Sequence, residues 1–409
     1  MKVTNIKIMK YYSYWVNIPL GPPDPIIGLM DTMRKDTHKN KVDLTMGTYH
    51  DENGPHVLPS VTKAMERILL KNMNQEYLPI QGDTTFCKMS QEFAFGERSE
   101  CLDDKVATVQ CVSGTGALSI GGMFLSKFWS GEKILFVSKP TWPPHIGIMK
   151  NVGLPVKQYT YTNSEVKLDF KGMMRDVAMM PDKSIILLQA SAHNPTGVDL
   201  KKKQWKILAK SIKQKQMLPF FDLAFQGFAT GDMNIDAFPL RYFVSHGINL
   251  CVASSFSKNM GLYAERVGVL SFTTDCKEES DRIMSQLKII IRPLYNSPPA
   301  HGARIVMEIL SDEELYCMWQ KDLKKMLLRL RKARVHLYKA LKKQGSKKNW
   351  KNILSQIGPY YYMNMSDEHV KRLKDEFHIY VRHEGRLSLA GIKKLNVDYV
   401  AKGLHEVTK

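Results

Sequence analysis

The chain has 409 residues, 44% of them apolar and 24% charged, which suits one large α/β unit or two domains and excludes a disordered chain. Its formal net charge of +19 attracts anions such as dicarboxylates, a phosphate-bearing cofactor, acidic proteins or anionic lipid. No apolar run reaches the roughly 18 residues of a membrane span, and the sequence holds no repeat or low-complexity tract.

The first twelve residues carry Lys2, Lys7 and Lys10 and no acid. That composition fits a basic tail or the remnant of a mitochondrial address. Gly21-Pro22-Pro23-Asp24-Pro25 reads as a rigid, extended entry, because each proline biases its predecessor away from helix. A helix is predicted from near Pro25 to Arg34, a short strand at 42–45, a turn at 51–55 and a helix at 60–72. From residue 115 the pattern alternates. Helices are predicted at 116–128, 144–152 and 200–214, and strands at 133–137, 156–159, 184–189, 218–222 and 249–253. Apolar strands alternating with helices predict a mostly parallel sheet covered on both faces. Beyond about residue 308 come long helices, then strands at 358–365 and 379–381. These form a smaller α+β unit whose expected partner in space is the early segment 25–54. The stretch 321–343 reads as an amphipathic helix, with Leu323, Met326, Leu327, Leu330, Val335 and Leu337 spaced among lysines and arginines whose face is solvated. No recognised nucleic-acid motif accompanies the charge, so no nucleic-acid partner is expected. The six cysteines, Cys87, Cys101, Cys111, Cys251, Cys276 and Cys317, form no C-x-x-C pair, which fits a reducing compartment and no metal site.

The most informative stretch is Ser254-Ser255-Phe256-Ser257-Lys258-Asn259-Met260-Gly261, with Arg266 eight residues past the lysine. This setting suits an imine between Lys258 and an aldehyde cofactor, since hydroxyls and a cation suit the phosphate that pyridoxal phosphate brings. Ser113-Gly114-Thr115-Gly116 precedes a helix and offers backbone N–H groups to a phosphate, although Ser or Thr there also caps helices. Asp222 closes an apolar strand and needs a partner, either a protonated pyridinium nitrogen or the start of a helix. Ala192-His193-Asn194-Pro195-Thr196-Gly197 either turns the chain or presents Asn194 to a ring oxygen. Trp142 offers a flat face for a cofactor ring, or fills a core beside a turn. Arg292 and Arg386 suit carboxylate clamping, and two such arginines suit a dicarboxylate, although isolated arginines also serve in surface ion pairs.

Together these segments resemble the class I aspartate aminotransferases, pyridoxal-phosphate enzymes of fold type I. The resemblance runs from about residue 13 to residue 409. It is carried in the family's order by Glu76-Tyr77-Leu78-Pro79-Ile80, by 113–118, 192–198, 220–229 and 257–266, and by Arg304-Ile305. The stretches 21–26, 286–293 and 356–358 look most like the mitochondrial isoenzyme. The resemblance implies an α/β fold, with a mostly parallel seven-stranded sheet in a large cofactor-binding domain (55–325). It adds a smaller discontinuous α+β domain (25–54 and 326–409) and an N-terminal dimer-contact arm (1–24). It implies ping-pong amino transfer between L-aspartate and 2-oxoglutarate, giving oxaloacetate and L-glutamate. The enzyme would be a homodimer with shared sites, in the mitochondrial matrix or else the cytoplasm.

The resemblance also implies roles. Lys258 would hold pyridoxal 5′-phosphate and act as general acid–base. Asp222, supported by His145, would pair with the ring nitrogen. Trp142 would stack on the ring and Asn194 would bond its oxygen. Ser113, Gly114, Thr115, Ser255 and Arg266 would hold the phosphate, with Tyr77 arriving from the neighbouring subunit. Arg386 would clamp the α-carboxylate near Gly47 and Asn194, and Arg292 of the neighbouring subunit would clamp the distal one.

The sequence departs from the family's pattern near these residues. The block Asp-x-Ala-Tyr-Gln-Gly reads Asp222-Leu223-Ala224-Phe225-Gln226-Gly227. The missing phenol normally bonds the cofactor's ring oxygen. Its loss is expected to keep the lysine imine protonated to higher pH and to slow chemistry about tenfold to a hundredfold, the scale of one hydrogen bond to a charged group. Pro143-Pro144 replaces Gly-Asn and stiffens the loop carrying Trp142 and His145. Asn296-Ser297-Pro298-Pro299 replaces Ser-Asn-Pro-Pro beside a dimer contact. Met46, next to Gly47, is expected to narrow the substrate entrance. These changes keep two other readings open: a broader, kynurenine-type aminotransferase, and a weakened paralogue that binds lipid or acidic partners through its basic surface.

Overall fold

The computed structural model describes residues 14–21, 27–96 and 104–409. The basic segment 1–12, the prolines of the entry segment and Cys101 lie outside the described residues. Seven strands build the central sheet: β1 (Val106–Val112), β2 (Leu135–Lys139), β3 (Val156–Thr160), β4 (Ile185–Gln189), β5 (Leu218–Leu223), β6 (Cys251–Ser255) and β7 (Val267–Thr273). Their order is β1-β7-β6-β5-β4-β2-β3. Only β7 runs against its neighbours, β1 and β6; the other pairs are parallel. The expected mostly parallel seven-stranded sheet is present.

The central strands β4 and β5 are largely apolar because helices cover both faces of the sheet there. In β4, Ile185 and Leu187 join Phe220 of β5 in one cluster, while Ile186 and Leu188 join Phe221 in another. Successive strand residues point to opposite faces, so a strand covered on both sides has no polar face. The first cluster is closed by helices Ser113–Phe128 and Lys277–Tyr295. The second is closed by Phe170–Met179, Lys202–Gln214 and Phe238–Ser245. A third cluster joins Phe225, Trp319, Leu337, Tyr360 and Leu387 and packs the later segments together.

Most elements predicted between 116 and 253 are found with ends moved by one or two residues. Helix Thr84–Phe95, started by Asp83 accepting from the Phe86 N–H at 3.0 Å, was not anticipated, nor were β1 and β7. The early strand is shorter than predicted. Val42–Asp43 pairs in parallel with Ile379–Tyr380, and Tyr360–Tyr362 runs antiparallel to Arg386–Ser388. The predicted helix at 321–343 is the end of a longer one, Glu313–Lys343. There the apolar stripe is corrected. Val335 is 39% exposed, and Arg334 is buried in its place. Arg334 lies four residues past Leu330 and three before Leu337, which is the inward stripe of a helix. It donates to the carbonyls of Ile353, Gly358 and Tyr360 at 3.1, 2.8 and 2.7 Å. Among the described residues no helix is long and apolar enough to cross a membrane, and no group of three or more His, Cys, Asp or Glu could hold a metal ion.

Candidate active site

The C-terminal ends of the parallel strands open on a cleft of about 350 Å³, the place where open α/β sheets bind ligands. The sheet delivers its residues there by a common route. Ser113 follows β1, Trp142 and His145 follow β2, and Asn194 follows β4. Asp222 lies near the end of β5, and Ser255 ends β6 three residues before Lys258. In register, Gln189 stands beside Asp222, and Asp222 beside Ala253.

Lys258 lies inside this cleft. Its Nζ donates to the Gly47 carbonyl at 2.7 Å and stands 4.7 Å from the centre of the Tyr263 ring. Burial lowers its pKa below that of an ordinary lysine. Arg386, Arg382 and Arg266 push the same way, against the opposing pull of Tyr360. A neutral amine is therefore reached at lower pH than on the surface.

Asp222 is paired with a fully buried imidazole. His145 Nε2 lies 3.1 Å from Asp222 Oδ2, and His145 Nδ1 lies 2.9 Å from the Thr141 hydroxyl. With the carboxylate accepting, Nε2 carries the proton and Nδ1 accepts from Thr141. Trp142 packs edge-on to His145, with ring centres 5.1 Å apart, and its indole lines the cleft.

Opposite lies a cup of hydroxyls. Ser113 Oγ is 3.2 Å from Ser255 Oγ and 3.0 Å from Ser257 Oγ. Helix Ser113–Phe128 starts here with no side chain capping it, so its first N–H groups face the cup along with Thr115 and Arg266. These donors and the positive helix end suit a phosphate. Gly114 keeps the cup open, since a Cβ there would stand 3.3 Å from Ser255 Cβ. Gly268 in β7 supports it from behind. A Cβ on Gly268 would come within 2.4 Å of the Ser254 carbonyl oxygen and 3.2 Å of the Gly114 nitrogen. Gly268→Ala is therefore expected to cost about 1–3 kcal/mol by overpacking. It should also weaken phosphate binding, read as a lower melting temperature and a raised Kd for inorganic phosphate.

At the mouth, Arg386 is buried and its Nη1 donates to Asn194 Oδ1 at 2.9 Å. Burial brings its pKa down to about 10, so it stays charged at neutral pH. Asn194 is held by Gln189, which donates to its carbonyl at 2.9 Å and accepts from its N–H at 2.7 Å.

Three predicted site residues do not line this cleft: His145 is buried against Asp222, and Tyr77 and Arg292 lie on the surface. Tyr77 is 84% exposed and lines a separate surface cleft with Asn296 and Arg304. Arg292 is exposed and donates to the Asn296 side chain. Met46 is corrected as well. It packs against the third apolar cluster and is not part of the cleft wall, which Gly47 and Thr48 form instead. The cleft wall also holds Ser257, Tyr263, Tyr360 and Arg382, among other residues that the sequence gives no role.

Residues 39–404 match the family described as aminotransferase class I and II. The chain belongs to this family. It is 45% identical over 402 residues to the mitochondrial aspartate aminotransferase of Gallus gallus, covering 97% of this chain and 95% of that protein. It is 44% identical over 400 residues to the mitochondrial aspartate aminotransferase of Xenopus tropicalis, covering 97% and 94%. Among solved structures it resembles an aromatic-amino-acid aminotransferase from Burkholderia pseudomallei covalently bound to pyridoxal phosphate. The TM-score is 0.93 at 35% identity, over 97% of this chain and all of that one.

Proposed function

We propose that the chain is an aspartate aminotransferase that works with pyridoxal 5′-phosphate. One observation carries this reading. A half-buried lysine of lowered pKa shares a cleft with a hydroxyl-lined anion cup, a carboxylate paired with a buried imidazole, and a buried arginine. The cup fits the cofactor's phosphate through Ser113, Gly114, Thr115, Ser255 and Arg266. Asp222, braced by His145, fits a pyridinium nitrogen. Trp142 offers the ring a flat face, and Asn194 a donor. When bound, the cofactor supplies an electron sink for the substrate's Cα.

The chain's own groups do the rest. Lys258 takes the proton from the substrate Cα and returns it, a task for which an amine of lowered pKa is suited. Asp222 would accept a hydrogen bond from the ring nitrogen and hold the proton there, with His145 bracing its other side. Arg386 receives the α-carboxylate as a planar fork beside Asn194. We assign the distal carboxylate to Arg292, and a phosphate contact to Tyr77, of a second copy of the chain, which makes the homodimer the working form. The substrates are then L-aspartate and 2-oxoglutarate, and the products oxaloacetate and L-glutamate. The division into arm 1–24, small domain (25–54 and 326–409) and large domain (55–325) belongs to the same reading. A mitochondrial matrix location is supported by the names of the Gallus and Xenopus relatives, with the cytoplasm as the alternative.

A coupled assay for oxaloacetate, with aspartate, 2-oxoglutarate and added pyridoxal phosphate, tests this reading. Turnover is expected, and a folded protein that produces no oxaloacetate overturns it in favour of the binding paralogue. The Burkholderia relative favours a second reading, a broader aminotransferase. A higher kcat/KM for kynurenine than for aspartate would select it. We read Phe225 as standing where the family carries a tyrosine. It is buried against the cleft, and Phe225→Tyr is expected to raise kcat for aspartate about tenfold, the worth of one hydrogen bond to a charged group.

A further inference from the structure

A phenol does enter the cleft, from a different element. Tyr360 opens the strand Tyr360–Tyr362, in register with Ser388 of the antiparallel strand Arg386–Ser388. Its ring meets Phe225 at right angles, with centres 6.3 Å apart, and the Arg386 guanidinium lies 3.9 Å over its centre. Its hydroxyl stands 3.4 Å from the Gly47 carbonyl oxygen, the same atom that accepts from Lys258 Nζ at 2.7 Å. Arg334 pins its backbone by donating to the Tyr360 carbonyl. The phenol is therefore fixed by a strand pairing, a stacked guanidinium and a buried arginine, and it converges with the lysine on one acceptor.

We infer that Tyr360 is a positioning residue for Lys258, its phenol converging with the amine on the Gly47 carbonyl and so coupled to the amine's proton. The residue's use in catalysis rests on the aminotransferase reading of Lys258; the coupling between the two side chains does not. The groups that face Tyr360 are consistent with this. Lys258 and Tyr263 come from the segment after β6, Arg382 and Arg386 from the last strand region, and Phe225 from the segment after β5. Burial alone would raise the phenol's pKa. The charges of Lys258, Arg386 and Arg382 outweigh that and bring it below that of an ordinary tyrosine. Reciprocally, burial lowers the pKa of Lys258, and Tyr360 pulls it back up. A phenol able to carry negative charge stabilises an adjacent ammonium.

Tyr360→Phe tests the inference, because it keeps the ring under Arg386 and removes only the hydroxyl. The first readout uses the protein without cofactor, as the pH dependence of Lys258 acylation followed by peptide mass spectrometry. The midpoint should move to lower pH in Tyr360→Phe. It should stay in place in Tyr361→Phe, whose hydroxyl donates to Asn352 Oδ1 at 2.8 Å outside the cleft. The second readout uses the holoenzyme. There kcat for aspartate should fall about tenfold with KM nearly unchanged, and its pH profile should move in the same direction. An unmoved midpoint overturns the inference even if activity falls, and so does an equal shift in both variants. A wild-type protein that fails to turn over aspartate defeats the aminotransferase reading instead, and leaves the midpoint measurement to stand or fall on its own.

Discussion

Lys258→Ala is expected to lower kcat for aspartate by about 10⁴-fold, the upper end of what a positioned general acid–base contributes. Among the described residues, Lys258 is the only lysine lining the cleft, so no neighbouring amine can take over its proton. The visible absorbance that the wild type develops with pyridoxal phosphate should be absent in the variant. Stability should move the other way. The folded-state pKa of Lys258 is depressed, so its ammonium is less favourable in the folded chain than in the unfolded one. That cost is present in full below the folded pKa. It fades as pH rises to the unfolded value of roughly 10.4. The alanine variant should therefore melt higher than the wild type at neutral pH, with the gain shrinking toward alkaline pH. A variant that keeps more than a hundredth of wild-type turnover would remove Lys258 from the centre of the mechanism.

Arg386→Ala is expected to lower kcat/KM for aspartate by about 10³-fold. Truncating one partner of a buried, hydrogen-bonded charge pair costs on the order of 2–5 kcal/mol, and the lost partner here is a substrate carboxylate. The loss should appear with both aspartate and 2-oxoglutarate, since each carries the carboxylate that Arg386 receives. Arg386→Lys should recover little of it. An ammonium cannot reproduce the planar fork, and it would not stack on Tyr360 as the guanidinium does at 3.9 Å. Steady-state kinetics with both substrates check this, and an unchanged KM for either would reassign the clamp.

Much of the fold was legible before the tertiary structure, for a local reason. β4 and β5 are short apolar runs bounded by turn residues, and being covered on both faces leaves them no polar positions to blur the pattern. Asp222, near the end of β5, could be singled out because a carboxylate beside a buried strand needs a partner, and Lys258, past β6, by the hydroxyls and the cation near it in sequence. Where the reading failed, the deciding contact was distant. Val335 and Arg334 are adjacent, and only the carbonyls of Ile353, Gly358 and Tyr360 make a buried arginine tolerable at the inward position. Met46 stands next to Gly47, yet its half-buried side chain packs against a core built largely from residues far along the chain.

By itself, then, the sequence determined the alternating α/β pattern, the strand ends that carry the chemistry, and the resemblance that set Lys258 at its centre. These depend on periodicity and on residue types within a few positions of one another. The tertiary structure decided which side chains share the cleft. Gly47, Lys258 and Tyr360 meet at one carbonyl oxygen although 211 residues separate the first from the second and 313 separate the first from the third. A hydrogen bond acts over about 3 Å, so such a meeting leaves no periodic trace in the chain and exists only once the strands have paired.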